Sequence, residues 1–514
     1  GSQKDNVSPK DIFRLQKEGP HERMIVAKYC IQDCVLCNDL ATKLDVVSNN
    51  VGMANVCSVP LSYIFLRGQG IKIFSLVAKE CRENGYLLPV LEKIGEKKEN
   101  KKNNDDDLND DNNEDDCSFE GAIVLDPKPG IYFEPISVLD YSSLYPSSII
   151  SENLSHETYC IDKEWLGKSG IQKLKALNLD YVDISFNQYK DIDPNNKNKG
   201  KIKVGEKTCR FVQYPNDKYG NEQKGIIPNI LKKLLTARKT TRAKIKTEKD
   251  EFKKAVLDGL QLAYKITANS LYGQIGAKTS SIRWIDIAAC TTAVGRNLVM
   301  FAKNTVEEKI EGTEVVYGDT DSVFVKFKTE DENGKKLSGL EAVQKSIDIG
   351  LKFEKIVKTM LKSPHNLEYE KTFWPFVLLS KKRYVGNKYE FNTNKYKQTS
   401  MGIVLKRRDN ADIVKDIYGG IIDIIINKKN IEASKDFLKS SLMKLINGKY
   451  PLEKLVITKS LRAGYKDPQS IAHKVLADRM GERDPGNKPK PNDRIPYVFI
   501  KAPDKITIDE TYYK

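Results

Sequence analysis

The sequence predicts an α+β protein in which antiparallel strands carry acidic residues at their ends. The stretch 317–322, Tyr-Gly-Asp-Thr-Asp-Ser, lies between apolar runs at 314–316 and 323–325 that favour strands. A second apolar strand ends at Asp140. Between these acidic stretches, residues 228–271 carry two strongly basic segments with helical spacing. We therefore expect a β-hairpin, a separate acidic strand and a pair of basic helices.

The hairpin is expected to present two carboxylates at its tip. Gly318 permits a tight bend, and Asp319 and Asp321 are two residues apart, so in an undistorted strand they share a face. Carboxylates held this close repel each other unless a cation lies between them. A solvated Asp-rich turn is the ordinary alternative. The second acidic strand and the basic helices favour a two-metal site for phosphoryl transfer, with cations about 3.5–4 Å apart.

Composition fits a large soluble protein with a polyanionic partner. The 514 residues suffice for three or four domains, and 39% of them are hydrophobic and 30% charged. The net charge is +15, and without the run 103–116, which holds seven Asp and one Glu, it becomes +23 (15 plus 8). Such an excess favours binding to a polyphosphate, although a merely soluble surface is the alternative. The sequence contains no run of 18 apolar residues, so we expect no membrane span.

The nine cysteines are odd in number and scattered, which predicts reduced thiols and an intracellular setting. Cys30, Cys34 and Cys37 cluster in a helical pattern at 25–36. With no obvious fourth ligand nearby, we interpret them as small buried residues rather than as zinc ligands.

The remaining segments follow in chain order. The Asn/Asp/Lys-rich stretch 99–116 predicts a disordered loop, and 160–225 predicts only a mixed connection. Pro228 opens a helix, a charged break near 248–250 turns the chain, and a second helix runs from about 252 to 271. A further helix through 288–304 leads to the acidic hairpin. Beyond about residue 400, basic and helical segments alternate.

Three motifs in order resemble motifs A, B and C of the family-B DNA polymerases. They are Asp-x-x-Ser-Leu-Tyr-Pro-Ser at 140–147, Lys-x-x-x-Asn-Ser-x-Tyr-Gly at 265–273 and Tyr-Gly-Asp-Thr-Asp-Ser at 317–322. The ordered set is very specific. The resemblance runs from about residue 23 to about 500, and is nearest to the delta-type branch, including the versions carried by large DNA viruses.

The resemblance implies a right-hand polymerase with an antiparallel-sheet palm, two-helix fingers and a mainly helical thumb. The implied divisions are an exonuclease remnant at 1–50, a linker at 51–120 with the acidic insert at 99–116, palm at 121–205 and 278–386, fingers at 206–277, and an incomplete thumb at 387–514. The delta-type cysteine-rich tail is absent, so we expect no iron–sulfur or zinc module here.

The resemblance also assigns the chemistry. Asp140 and Asp321 are the expected ligands of two Mg²⁺ ions, with Mn²⁺ as an alternative, and Asp319 is the weaker partner. The N–H groups around Ser143 and Leu144 would cradle the triphosphate. Tyr145 would be the steric gate against a 2′-hydroxyl, although a core tyrosine is the alternative.

The basic helices are expected to hold the phosphates of an incoming dNTP. Arg238 and Arg242 are one turn apart on the first helix, as are Lys265 and Asn269 on the second. Family members often have Lys at the position of Arg242. Two solvated basic helices are the alternative.

The remaining assignments concern primer–template DNA. Tyr272 and Gly273 would support the nascent base pair, and Gly121 would touch the template strand. A Lys-Lys-Arg-Tyr motif would enter the minor groove, where acceptors are nearly independent of sequence, and further cations would meet the phosphate backbone. These two sets are Lys381, Lys382, Arg383 and Tyr384, and Lys406, Arg407 and Arg408. Basic runs of this kind are otherwise usually solvent-facing.

Tyr29 and Asp33 resemble the third motif of the family's 3′–5′ exonuclease, with an ordinary amphipathic helix as the alternative. That exonuclease needs further carboxylates from upstream, and fewer than 30 residues precede Tyr29, so we expect no proofreading by this chain.

The expected function is DNA-templated DNA synthesis on a primer 3′ end, at a nuclear or cytoplasmic viral replication site. A sliding clamp or accessory subunits are further partners that the resemblance allows. A non-catalytic DNA-binding scaffold and an RNA-templated or primase-like enzyme are the alternatives, and Tyr145 argues against ribonucleotide addition.

Overall fold

The computed structural model describes Asp5, Val7 and residues 9–88, 117–192, 200–407, 409–500 and 511–512. Within these residues the fold mixes helices with antiparallel sheets. The acidic stretch 99–116, predicted to be disordered, lies outside the described residues. The chain divides into two compact units. The first unit comprises Gly1–Ile123, Tyr141–Phe301 and Met360–Asn366, and the second comprises Val124–Asp140, Ala302–Thr359 and Leu367–Lys514.

The helices of the described residues are α1 (Pro9–Lys17), α2 (Pro20–Lys43), α3 (Val46–Cys57), α4 (Leu61–Leu66), α5 (Gln69–Glu83), α6 (Leu144–Ser151), α7 (Gly167–Ala176), α8 (Ile226–Thr247), α9 (Glu251–Gly276), α10 (Ile285–Lys309), α11 (Gly339–Lys358), α12 (Asp412–Asn427), α13 (Ile431–Ile446) and α14 (Ala472–Arg483).

The strands are β1 (Ser118–Phe119), β2 (Gly130–Tyr132), β3 (Ile136–Tyr141), β4 (Asp180–Asp191), β5 (Lys201–Gln213), β6 (Glu314–Asp319), β7 (Ser322–Lys326), β8 (Leu367–Ser380), β9 (Arg383–Tyr389), β10 (Lys397–Met401), β11 (Ile457–Ser460), β12 (Arg494–Phe499) and β13 (Thr511–Tyr512).

The first unit contains the predicted pair of basic helices, α8 and α9, which pack against each other. Ile230, Leu231 and Leu234 are buried, so α8 has the apolar side that its spacing predicts. The charged break is a tight connection in which the Asp250 carboxylate accepts hydrogen bonds from two N–H groups of the first turn of α9. This cap gives α9 a defined start, so the predicted helical hairpin is confirmed.

The first unit also contains a long β-hairpin that the sequence analysis described only as a mixed connection. Strands β4 and β5 pair antiparallel over most of their length, with one register shift between Gln188 and Tyr189. The guanidinium of Arg210 donates to both carboxylate oxygens of Asp183, with Nε–Oδ1 and Nη2–Oδ2 distances of 2.8 and 2.7 Å. The β4–β5 hairpin was missed in the sequence because its polar, Lys- and Asn-rich composition obscures the alternation of apolar and polar residues that marks a strand.

The prediction that Cys30, Cys34 and Cys37 are buried is wrong, because all three are exposed. They lie on α2, which has no buried residue. The apolar side chains of α2 are distributed around the helix instead of forming one stripe. Regular spacing of the cysteines therefore did not identify a buried face.

The second unit is organised around a seven-stranded sheet whose main path is β10-β9-β8-β3-β7-β6, with β2 paired to β8. On one face the rings of Tyr317, Phe324, Phe373, Phe376 and Tyr384 form an aromatic core. The other face holds a buried hydroxyl cluster. Ser137 Oγ lies 2.7 Å from Thr372 Oγ1 and 2.9 Å from Ser346 Oγ, which connects β3 to β8 and α11. Both faces of β3 are therefore packed, which specifies its register.

Helix α10 is the one described helix that is long and apolar enough to cross a membrane by length and composition alone. Of its most apolar window, 56% is buried inside the protein, as in the core helix of a soluble fold.

Candidate active site

The predicted acidic hairpin is present in the second unit. Strands β6 and β7 pair antiparallel, and Asp319 lies opposite Ser322, so Thr320 and Asp321 form the turn. Thr320 has a φ of 61°, and the Asp321 N–H donates to the Asp319 carbonyl at 2.6 Å. The backbone at the tip is therefore a turn. The prediction that both carboxylates share one face assumed an undistorted strand, so it does not apply here.

Gly318 has a different role from the one predicted. It lies within β6, before the turn. A Cβ at this position would stand 2.7 Å from Leu125 Cδ1 and 2.9 Å from Leu125 Cγ. The glycine therefore makes room for the segment carrying Leu125, whose N–H donates to the Gly318 carbonyl at 2.9 Å.

Asp140 is brought to the hairpin by strand register. Strand β3 pairs antiparallel with β7, and Asp140 lies opposite Ser322, the residue that follows Asp321. Hydrogen bonding between these strands thus places the two carboxylates that the sequence analysis selected as metal ligands near each other. Their separation along the chain is 181 residues, from 140 to 321.

The carboxylates lie in an environment that opposes their ionisation. Burial, followed by the charges of Asp321 and Glu370, raises the pKa of Asp140 from 3.8 to about 8. Burial, followed by the charge of Asp319, likewise raises the pKa of Asp321. The positive charges of Lys371 and Lys382 only partly offset these effects.

Glu368 and Glu370 are acidic neighbours that the sequence analysis passed over. They alternate with buried residues on β8, which lies beside β3 in the sheet, and both raise the pKa of Asp140. Their period-2 spacing on an apolar strand was visible in the sequence. It was not used because nothing in the local sequence places β8 next to β3.

Lys382 is a second unexpected neighbour. Its Nζ lies 2.6 Å from Asp319 Oδ1, and its backbone N–H donates to the Tyr317 hydroxyl at 2.8 Å. The Thr320 hydroxyl also donates to Asp319 Oδ1 at 3.0 Å. Lys382 was predicted to contact DNA, whereas in the structure it pairs with Asp319, the carboxylate expected to be the weaker metal partner.

The rest of the Lys-Lys-Arg-Tyr motif is divided between surface and core. Lys381 pairs with Asp126 at 2.7 Å, and Arg383 is exposed. Tyr384 differs from the expectation of a DNA contact, because its ring packs in the aromatic core and only 7% of the residue is exposed.

The donor set suits divalent ions that borrow ligands from a substrate. Among the described residues, no three His, Cys, Asp or Glu side chains converge closely enough to hold a metal ion alone. Mg²⁺ in phosphoryl-transfer sites is commonly held by one or two carboxylates together with phosphate oxygens and water. The half-buried carboxylates Asp140 and Asp321 fit such an ion, because a cation would offset both the desolvation and the neighbouring negative charges that raise their pKa values.

The nucleotide-selection residues expected from motif A lie in the first unit. Ser143 has a φ of 54° and precedes α6, whose first residue is Leu144. Leu144 is buried, so its predicted contact is through the backbone N–H. The half-buried ring of Tyr145 packs against that of Tyr272, with centroids 4.5 Å apart and planes inclined by 34°.

The expected phosphate-binding cations also lie in the first unit. Arg242, Lys265 and Asn269 are exposed, whereas Arg238 is half-buried with its Nε 3.4 Å from Gln261 Oε1. Arg242 lies one turn after Arg238 on α8, as Asn269 does after Lys265 on α9.

The segment with the predicted template contact is fixed to α10. Arg296 Nη1 donates to the carbonyls of Glu120 and Gly121 at 2.7 and 3.0 Å, and the Thr292 hydroxyl donates to the Glu120 carbonyl at 2.8 Å. A Cβ built on Gly121 would have no atom within 4 Å, and the same is true of the exposed Gly273. The backbone at both glycines is open to an approaching ligand.

Three other predicted residues have surface or half-buried positions. Arg407 pairs with Asp409, with its Nε 3.0 Å from Oδ1. Tyr29 and Asp33 are half-buried on α2. The Lys406 side chain and Arg408 lie outside the described part of the chain.

Comparison with known proteins identifies the family. The sequence model of DNA polymerase family B matches residues 59–514. A DNA polymerase of Pyramimonas orientalis virus is 51% identical across 98% of this chain and 42% of its own length. The DNA polymerase delta catalytic subunit of Candida albicans is 35% identical across 98% of this chain and 43% of its own. This chain thus spans less than half the length of these relatives.

A solved structure shares the fold. It is a family B DNA polymerase from the hyperthermophilic archaeon Pyrobaculum calidifontis, with a TM-score of 0.62, 22% sequence identity and coverage of 98% of this chain and 55% of that one. The resemblance recognised in the three motifs is confirmed, and the chain belongs to the family B DNA polymerases.

Proposed function

We propose that this chain is the catalytic core of a DNA-templated DNA polymerase that adds dNTPs to a primer 3′ end and releases pyrophosphate. The observation that carries the proposal is the pairing of β3 with β7, which brings Asp140 to the hairpin turn holding Asp321. Partial burial and neighbouring negative charges raise the pKa values of both carboxylates, and a bound cation would relieve both effects, which supports a metal-dependent reaction.

In this proposal Asp140 and Asp321 hold two Mg²⁺ or Mn²⁺ ions, which supply activation of the primer 3′-hydroxyl and charge neutralisation at the triphosphate. Asp319, bonded to Lys382, contributes less directly. Glu370 adds negative charge that favours cation binding.

The residues of the first unit bind and select the nucleotide. The N–H groups at Ser143 and Leu144 donate to oxygens of the triphosphate, and the ring of Tyr145 excludes a 2′-hydroxyl. Arg238, Arg242, Lys265 and Asn269 hold phosphate oxygens, and the exposure of most of these side chains leaves them accessible to a ligand.

The corresponding domain roles are a palm built on the seven-stranded sheet, fingers built on α8 and α9, and a thumb in the C-terminal helical part. Gly121, Tyr272, Gly273, Lys381, Arg383 and Arg407 are the proposed contacts to primer–template DNA.

The test is extension of a labelled primer on a DNA template with Mg²⁺ and dNTPs. We expect Asp321→Asn to lower extension by at least about thousandfold, because removing a metal ligand forfeits several kcal/mol of transition-state stabilisation. DNA binding should persist and weaken steeply with salt. Asp348→Asn, which changes an exposed carboxylate on α11, is the matched control and should extend normally.

Two results would count against the proposal. Unchanged extension by Asp321→Asn would remove the metal assignment. No extension by the unmodified chain, with tight salt-sensitive DNA binding, would instead favour a non-catalytic DNA-binding scaffold.

A further inference from the structure

A glycine in the middle of α10 lies against the ring of Tyr145. Gly295 is buried, and a Cβ built on it would stand 3.0 Å from Tyr145 Cε1, 3.5 Å from Tyr145 Cδ1 and 3.4 Å from Leu144 Cδ2. Glycine weakens a helix interior relative to alanine, so its presence here calls for a packing reason. The edge of the Tyr145 ring supplies that reason.

The ring is confined on another side as well. Its partner Tyr272 lies with its centroid 4.5 Å away, and Tyr272 is itself half-buried on α9. A methyl group on residue 295 would be closer to Cε1 than carbon atoms normally approach, by a few tenths of an ångström. The Tyr145 ring would have to shift, in a space that Tyr272 also limits.

We propose that Gly295 is a positioning residue that sets the location of the Tyr145 ring, and through it the affinity for dNTPs and the preference for deoxyribose. The inference rests on the proposed role of Tyr145 as steric gate. It adds a residue of α10, remote in sequence from motif A, to the determinants of sugar selection.

The experiment is a double-mutant cycle on the full chain, measured as single-nucleotide incorporation of dNTP and rNTP. A 1 Å misplacement at a reacting site costs up to about 10²-fold, so we expect the smaller shift in Gly295→Ala to raise the dNTP KM about threefold to tenfold. The change in kcat should be smaller. The ratio of kcat/KM values for dNTP and rNTP should change by at least about threefold.

The decisive comparison uses Tyr145→Ala as background. With the ring gone, the added methyl group has no ring to displace, so Gly295→Ala should then change KM by less than about twofold. An equal KM increase in both backgrounds would show that the methyl group acts through helix packing, and would overturn the proposal. An unchanged KM in the Gly295→Ala single variant would also overturn it.

Gly276→Ala is the matched control. A Cβ there would meet only Ala288 Cβ at 3.5 Å, an ordinary contact, so KM should stay unchanged. If Gly295→Ala does not fold, the double variant should fold as Tyr145→Ala does, and failure of the double variant would overturn the proposal. If Tyr145→Ala leaves sugar discrimination unchanged, the gate assignment fails, whereas the cycle still reports whether Gly295 acts through the ring.

Discussion

The carboxylates of the second unit and the cations of the first unit are held in contrasting ways. Asp140 is fixed by strand register and buried enough that its pKa rises to about 8. Arg242 and Lys265 project from exposed helix faces. Removing a charge from water costs free energy, and in the proposed reaction the fixed geometry of the carboxylates would offset that cost. A side chain whose proposed role is to hold a phosphate can stay hydrated until the ligand binds.

Tyr145 is half-buried, as Asp140 is, and its ring packs between neighbouring residues of the first unit. We expect Tyr145→Ala to lower discrimination against ribonucleotides on the order of 10²-fold, because a steric barrier to the 2′-hydroxyl is removed. Competing dNTP and rNTP incorporation on one template measures the ratio. An unchanged ratio would place Tyr145 with the purely structural tyrosines of the core.

Lys265→Ala tests the exposed side chains of α8 and α9 that are proposed to bind phosphate. A lost hydrogen bond to a charged group is worth about 1.5–3 kcal/mol, so we expect the dNTP KM to rise roughly tenfold or more. The melting temperature should not change, since the side chain is exposed. Lys253→Ala, at an exposed lysine elsewhere on α9, is the control and should have normal kinetics. Equal kinetics of the two variants would mean that both lysines are merely solvated.

The carboxylates of the second unit are tested by comparing how the stability of the unmodified protein and of Asp140→Asn depends on pH. Its pKa is raised in the folded protein, so the unfolded chain releases this proton first as pH rises above 3.8. The metal-free protein should therefore lose stability between about pH 4 and pH 8. In Asp140→Asn this loss should be smaller, by a difference in Tm on the order of a few degrees.

Added Mg²⁺ should restore stability to the unmodified protein mainly at the upper end of this range, because it favours the ionised carboxylate. Thermal unfolding with EDTA and with Mg²⁺ measures both effects. Parallel pH profiles for the two proteins would contradict the burial argument.

Local sequence patterns predicted the elements that carry the site. The acidic hairpin, the strand that carries Asp140 and the helices α8 and α9 all follow from spacing and propensity within a few residues. The proposed roles of Asp140 and Asp321 followed from the resemblance of the ordered motifs to a known family, and the sheet register accounts for their proximity.

Contacts between distant segments could not be read in this way. Glu370 belongs to the site only because β8 lies beside β3, and Lys382 only because a turn after β8 brings it to Asp319. Gly318 was assigned to the bend because glycine commonly serves there, whereas Leu125 is the reason for it. Each of these depends on a partner whose position no local pattern encodes.

The hydroxyl cluster of Ser137, Ser346 and Thr372 holds the register of β3 independently of the carboxylates. A slip of β3 by one residue would turn Asp140 to the opposite face and take the buried Ser137 hydroxyl away from both of its hydroxyl partners, although Thr372 would keep its contact with the Tyr369 hydroxyl. The penalty against misalignment thus comes from uncharged side chains on the face away from the acids. Substitutions that abolish the chemistry can leave the folded framework intact, so an inactive descendant of this chain would keep its shape.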